Sequence, residues 1–100
     1  NLSKFIKHDG SDMDWEKLRQ TVHTSIHFLD NVIDVNNYPI QEIEHIAKFN
    51  RRIGLGVMGW AETLVKLGIP YNDERAYKKA EQLMQFMNEE SKIKSELLAK

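Results

Sequence analysis

The chain has no cysteine. That removes a disulfide framework, a thiolate metal site and a thiol nucleophile together. Proline and glycine are scarce, at two and five residues in 100, which sets the chain apart from low-complexity and disordered segments. Charge of one sign is also lacking. Fourteen Lys and Arg against 15 Asp and Glu leave a formal net charge of −1. Without a basic excess there is little counterion release to draw in DNA or RNA, so no nucleic-acid partner is expected. No apolar run reaches the roughly 18 residues that a bilayer crossing needs, so no membrane association is expected. The basic and apolar regions of a signal peptide are missing as well, and a cytoplasmic location is the expectation. The first residue is Asn1, and residues 93–100 run in helical rhythm with no closing glycine or proline. Both ends therefore read as cut from a longer chain.

What is present is a soluble composition, 41% hydrophobic and 29% charged. One hundred residues suffice for a single segment, 1–100, with a modest core. A compact domain of this size buries roughly two thirds of its unfolded surface.

Hydrophobic rhythm predicts a mainly α fold. Residues 8–12, His-Asp-Gly-Ser-Asp, form a turn around Gly10. Asp14 can cap a helix over 14–34, whose stripe is Trp15, Leu18, Val22, Ile26, Leu29 and Ile33. Tyr38-Pro39 breaks it. A short amphipathic helix over 40–50 follows, with Ile40, Ile43, Ile46 and Ala47 on one side. Ile53, Leu55 and Val57 alternate with glycines, which reads as a short strand near 53–57 with one face closely approached by a neighbour. Helical spacing returns over 60–67 with Trp60, Leu64 and Leu67, and Gly68 and Pro70 end it. Asn72 or Asp73 caps a last helix over 73–98 with an expected stripe of Tyr77, Ala80, Met84, Met87 and Leu97 or Leu98. A single strand cannot make a sheet, so this pattern needs partners from elsewhere.

Several groups invite a chemical reading. Gly54-Leu55-Gly56-Val57-Met58-Gly59 satisfies G-x-G-x-x-G, with Asp73 and Glu74 near the distance of a ribose-binding acid. A dinucleotide site also needs a buried strand running into the first glycine, yet Asn50, Arg51 and Arg52 stand there with only Ile53 between. His23 and His27 share a helix face at metal-ligand spacing, but Thr24 replaces the glutamate of a metalloprotease motif. His8 and His45 could join only through folding. Arg51 and Arg52 could meet phosphate, though pairing with carboxylates such as Glu42 and Glu44 is the plainer expectation. Asp30, Asp34, Glu42 and Glu44 offer carboxylates without a nucleophile beside them. Met58, Met84 and Met87 read as core filler. No residue is assigned a catalytic, cofactor-binding or metal-binding role.

Two longer stretches carry more information. They are Phe28-Leu29-Asp30-Asn31-Val32-Ile33-Asp34-Val35-Asn36-Asn37-Tyr38-Pro39 and Asn50-Arg51-Arg52-Ile53-Gly54-Leu55-Gly56-Val57-Met58-Gly59-Trp60-Ala61. Together with Asn1-Leu2 and Gly68-Ile69-Pro70-Tyr71, they resemble an internal piece of ribonucleotide reductase large subunits. The wording is most similar to the adenosylcobalamin-dependent branch, with the iron-dependent branch as the alternative.

The resemblance implies a parent that reduces ribonucleotides to deoxyribonucleotides for DNA synthesis. It does so by cysteine-radical chemistry inside a ten-stranded α/β barrel. Three cysteines and an Asn-x-Cys-x-Glu type motif carry that chemistry in the family, and this chain has neither. The segment is therefore expected to be scaffold, inactive alone, with its strand at 53–57 belonging to the barrel. Adenosylcobalamin is implied for the parent and no cofactor for these residues. The expected partner is the remainder of the barrel. Lacking it, the chain is expected to self-associate through its Trp15 and Trp60 side, with residues 52–59 either paired across chains or non-extended. The competing expectations are a free-standing helical interaction module and a small dinucleotide- or metal-binding enzyme.

Overall fold

The computed structural model describes all residues, 1–100. It contains four helices: α1, Trp15–Val35; α2, Gln41–Asn50; α3, Trp60–Leu67; and α4, Glu74–Leu98, preceded by a 3-10 turn at Leu2–Phe5. Each lies within a residue or so of the element expected from the sequence. The caps explain why. Asp14 accepts the Lys17 amide at the start of α1, and Asp73 accepts the Arg75 amide at the start of α4. Each satisfies a donor that has no partner inside its own helix. Gly68 closes α3 in the left-handed conformation at φ 70, which a residue without a Cβ adopts freely.

The core forms where α1 lies along α4 and the N-terminal turn closes one end. Leu2, Met13, Leu18, Val22, Ile26, Leu83 and Met87 are its buried members. Trp15, Val57, Trp60 and Phe86 pack against it, half-buried. The turn at 8–12 is held by Asp9, whose carboxylate accepts the Ser11 amide at 3.0 Å. It brings Ile6 and Met13 into an isolated antiparallel bridge. The α1 stripe is as expected, with Leu18, Val22, Ile26 and Ile33 buried.

The α4 stripe needs correction, while residues 53–57 are unpaired and α2 packs lightly. Ile53–Val57 forms no strand here, and no backbone–backbone hydrogen bond involves residues 52–57. A strand is stabilised by its neighbours' ladders, and this chain supplies no neighbour. The α4 stripe is partly rotated: Met87 is buried as expected, but Ala76 and Leu83 are buried with it, whereas Tyr77 and Met84 are exposed. Both rows share the three-four rhythm, and α1 selects between them. Finally, α2 buries no residue at all. Its Ile43 and Ile46 are exposed, and Phe49 is 81% exposed. Nothing in the chain lies over that face.

The chain is consequently more open than a finished globule. Only 12 of 100 residues are buried, and the accessible surface is 7376 Å². A compact protein of 11.7 kDa would expose about 5,900 Å². The radius of gyration is 16.7 Å, against about 13 Å for a compact chain of this length. No helix is long and apolar enough to cross a membrane.

Candidate functional site

The residues singled out by sequence do not converge on one centre. They separate into charged corners that hold helices together and one apolar groove.

The best-formed corner lies where α2 ends beside α1. Asp30 and Asp34 sit one turn apart on α1, and both face Arg51. The Arg51 Nε donates to Asp30 Oδ1 at 2.9 Å. Its Nη1 donates to Asp34 Oδ1 at 2.8 Å, and its Nη2 reaches the Asp30 carbonyl at 2.9 Å and Asp34 Oδ2 at 3.1 Å. This fork is what guanidinium geometry permits and an ammonium does not. The Arg51 hydrogen bonds, followed by its charge, hold the Asp34 carboxyl below the usual carboxylate range. Pairing of Arg51 with carboxylates was expected, but the partners are Asp30 and Asp34 rather than Glu42 and Glu44. Glu44 instead pairs with Lys48 at 2.6 Å. Arg52 is exposed and makes no hydrogen bond or ion pair.

His23 is held by α4. Its Nε2 lies 2.7 Å from Glu90 Oε2, and the other Glu90 oxygen accepts from Arg19 Nε at 3.2 Å. His27 is exposed beyond this contact. No three His, Asp or Glu side chains gather so that they could hold a metal ion. Glu90 was not visible as a partner from sequence, since 67 residues separate it from His23.

A third corner joins the N-terminal loop to α4. Asp12 accepts from the Met13 amide, from Trp15 Nε1 at 3.1 Å and from Lys79 Nζ at 3.0 Å. Burial pushes its carboxyl upward. The Met13, Lys79 and Trp15 donors together outweigh that and leave it below the ordinary range.

The glycine run does not assemble a dinucleotide fingerprint. No strand leads into Gly54, and a Cβ at Gly54 or Gly56 would meet open space. Gly59 alone has positive φ, at 79, where it begins α3. Asp73 is engaged with Arg75 at 3.0 Å. That side chain, then the Arg75 amide, lowers its carboxyl. Met58 and Met84 are exposed rather than core. The apolar groove runs between α1, the C-terminal half of α4 and residues 49–55. One part, of about 420 Å³, is lined by Ile26, Ile53, Leu55, Met84 and Met87. A second, of about 370 Å³, continues past Ile53 to Phe49, Arg51 and Leu98. Its polar lining includes Asn88, Ser91, Lys92 and Ser95, with Asp30 already paired to Arg51.

Comparison with known proteins accounts for this arrangement. The family model for the ribonucleotide reductase barrel domain matches residues 1–100. The chain belongs to the ribonucleotide reductase barrel-domain family. It is 48% identical over 99 residues to a vitamin B12-dependent ribonucleoside-diphosphate reductase of Thermoplasma acidophilum, covering 99% of this chain and 13% of that protein. A Mycobacterium tuberculosis reductase of the same description is 42% identical over 99 residues, covering 99% of this chain and 14% of that protein. The ribonucleoside-diphosphate reductase subunit alpha of Chlamydia pneumoniae is 37% identical over 100 residues, covering all of this chain and 9% of that protein. The reductase segment thus spans a small part of the relatives it matches.

Proposed function

We propose that this chain forms one stretch of wall in the catalytic barrel of a vitamin B12-dependent ribonucleoside-diphosphate reductase, and that it supplies scaffold rather than reacting groups. The observation that carries this is the 48% identity to such an enzyme across 99% of the chain. Relatives whose names carry no mention of the vitamin match at 37% over 100 residues or at 45% over only 76 residues, so the cobalamin branch is preferred over iron-dependent radical generation on identity and coverage together. A free-standing interaction module has no comparable support.

The scaffold role follows from what the side chains do. There is no cysteine to carry a radical or a reducing equivalent. Asp12, Asp30, Asp34 and Glu90 are each taken up in pairing one element to another. Adenosylcobalamin does not fit this segment. The grooves are open, with parts of about 280 to 430 Å³, and none of these encloses a corrin with its nucleotide arm. Its site, the three cysteines and the ribonucleoside diphosphate belong to the remainder of the reductase, which is the partner of this segment. The assembled enzyme works in the cytoplasm.

Without that partner the chain self-associates. Trp15 and Trp60 pack against the chain's own core, so the contact surface moves from their side to α2 and the groove beside it. Contiguous bare apolar patches seek partners in water. Expressing the complete reading frame that contains these residues tests the proposal. Reduction of ribonucleoside diphosphates by a dithiol should require adenosylcobalamin. Activity that needs iron instead would overturn the branch, and no reduction under either condition would overturn the reading.

A further inference from the structure

We propose that Arg51 is a positioning latch: it stops α2 from pivoting about its entry loop and so fixes the point from which residues 52–59 leave the helix. Little else holds α2. The helix buries no residue, so packing fixes it weakly. Its Lys48–Glu44 hydrogen bond is internal. The entry loop is tied once, by Tyr38 Oη donating to the Ile33 carbonyl at 2.9 Å. A helix held only at its entry swings about that loop. The exit is held by the four Arg51 hydrogen bonds to Asp30 and Asp34, all on α1.

The backbone gives independent support. Arg51 closes α2 in the left-handed conformation, φ 47 and ψ 47, and is the only non-glycine residue with positive φ. Glycine, or sometimes asparagine, suits that position best. An arginine there accepts a disfavoured backbone, so the side chain is what the position requires. The left-handed turn also directs the side chain back onto the final turns of α1, whereas Arg52, one residue later, pairs with nothing. On the reductase reading, the latch makes Arg51 a positioning residue for the segment expected to join the barrel. That extension rests on the reading, but the latch itself does not.

The test uses this chain and no activity, with wild-type Arg51 and every variant carried in the Ile46→Glu background so that self-association through the α2 face does not hold the helix. Residual dipolar couplings of residues 41–50 report how α2 is oriented relative to α1 and α4, and Cα shifts report whether it is helical. The wild type and Arg52→Gly should show one fixed orientation. Arg51→Gly, which suits the backbone better but removes the fork, should keep α1 and α4 unchanged while the α2 couplings average or its helix is lost. Arg51→Lys and the Asp30→Asn/Asp34→Asn pair should move in the same direction. Unchanged α2 couplings in Arg51→Gly would overturn the proposal. So would an α2 already averaged in the wild type.

Discussion

The Asn1 carboxamide fills the space that a side chain on residue 59 would occupy. A Cβ built on Gly59 collides with Asn1 Oδ1 and lies 3.1 Å from its Cγ. Asn1 cannot easily yield, because Oδ1 accepts from the Ser3 amide at 3.0 Å and from Ser3 Oγ at 2.8 Å. The neighbouring backbone is tied as well, the Leu2 amide donating to the Met58 carbonyl at 2.8 Å. Gly59 also needs its φ of 79. Gly59→Ala should therefore destabilise the chain by about 1–3 kcal/mol. Gly56→Ala, with open space around it, should stay within about 0.5 kcal/mol. Urea denaturation of both variants measures the difference.

The register of α4 is tested by neighbouring residues. Leu83 is 1% exposed and Met84 is 51% exposed. Leu83→Ala should cost about 2–5 kcal/mol through lost burial and the cavity left behind. Met84→Ala should stay within about 0.5 kcal/mol. Equal losses would mean that the helix packs on a different row.

Acid should weaken the fold. The Asp12, Asp34 and Asp73 carboxyls all lie below their ordinary values in the folded chain. A lowered folded value means that the unfolded chain binds the proton more readily. The stabilisation is complete above the unfolded value near pH 4 and is lost as pH falls through the folded ones. The urea midpoint should be flat in this respect above about pH 5 and drop toward pH 3. In Asp12→Asn the drop should be smaller, because one of the linked carboxyls is gone.

Self-association should be visible by sedimentation equilibrium at micromolar concentration. The apparent mass should rise with concentration above that of the 11.7 kDa chain. Ile46→Glu, on the bare α2 face, should lower the association, since Ile46 is exposed and its replacement disturbs no core. A mass that stays monomeric at every concentration would show that the bare faces remain in water.

The sequence made the helices legible because their signals are local. Asp14, Gly68 and Asp73 mark ends through bonds or backbone angles within their own turns, and the stripe of α1 was read correctly. The α4 register was not legible, since Tyr77-Met84 and Ala76-Leu83 repeat at the same spacing and only α1 chooses between them. The strand at 53–57 was read from alternation alone, and alternation cannot supply the neighbour that a ladder needs. Asp30, Asp34 and Arg51 each stand out in the sequence, but their meeting spans 17 and 21 residues and depends on how α2 folds back. Glu90 carried no signal at all, because its partner His23 lies on another helix.

On the reading proposed above, this chain contributes barrel wall and no chemistry. The most direct test of that is a turnover assay of the purified chain with ribonucleoside diphosphate, a dithiol reductant and adenosylcobalamin. The account predicts deoxyribonucleotide at the no-protein background, whatever the chain concentration. Product that rises in proportion to the chain would contradict it.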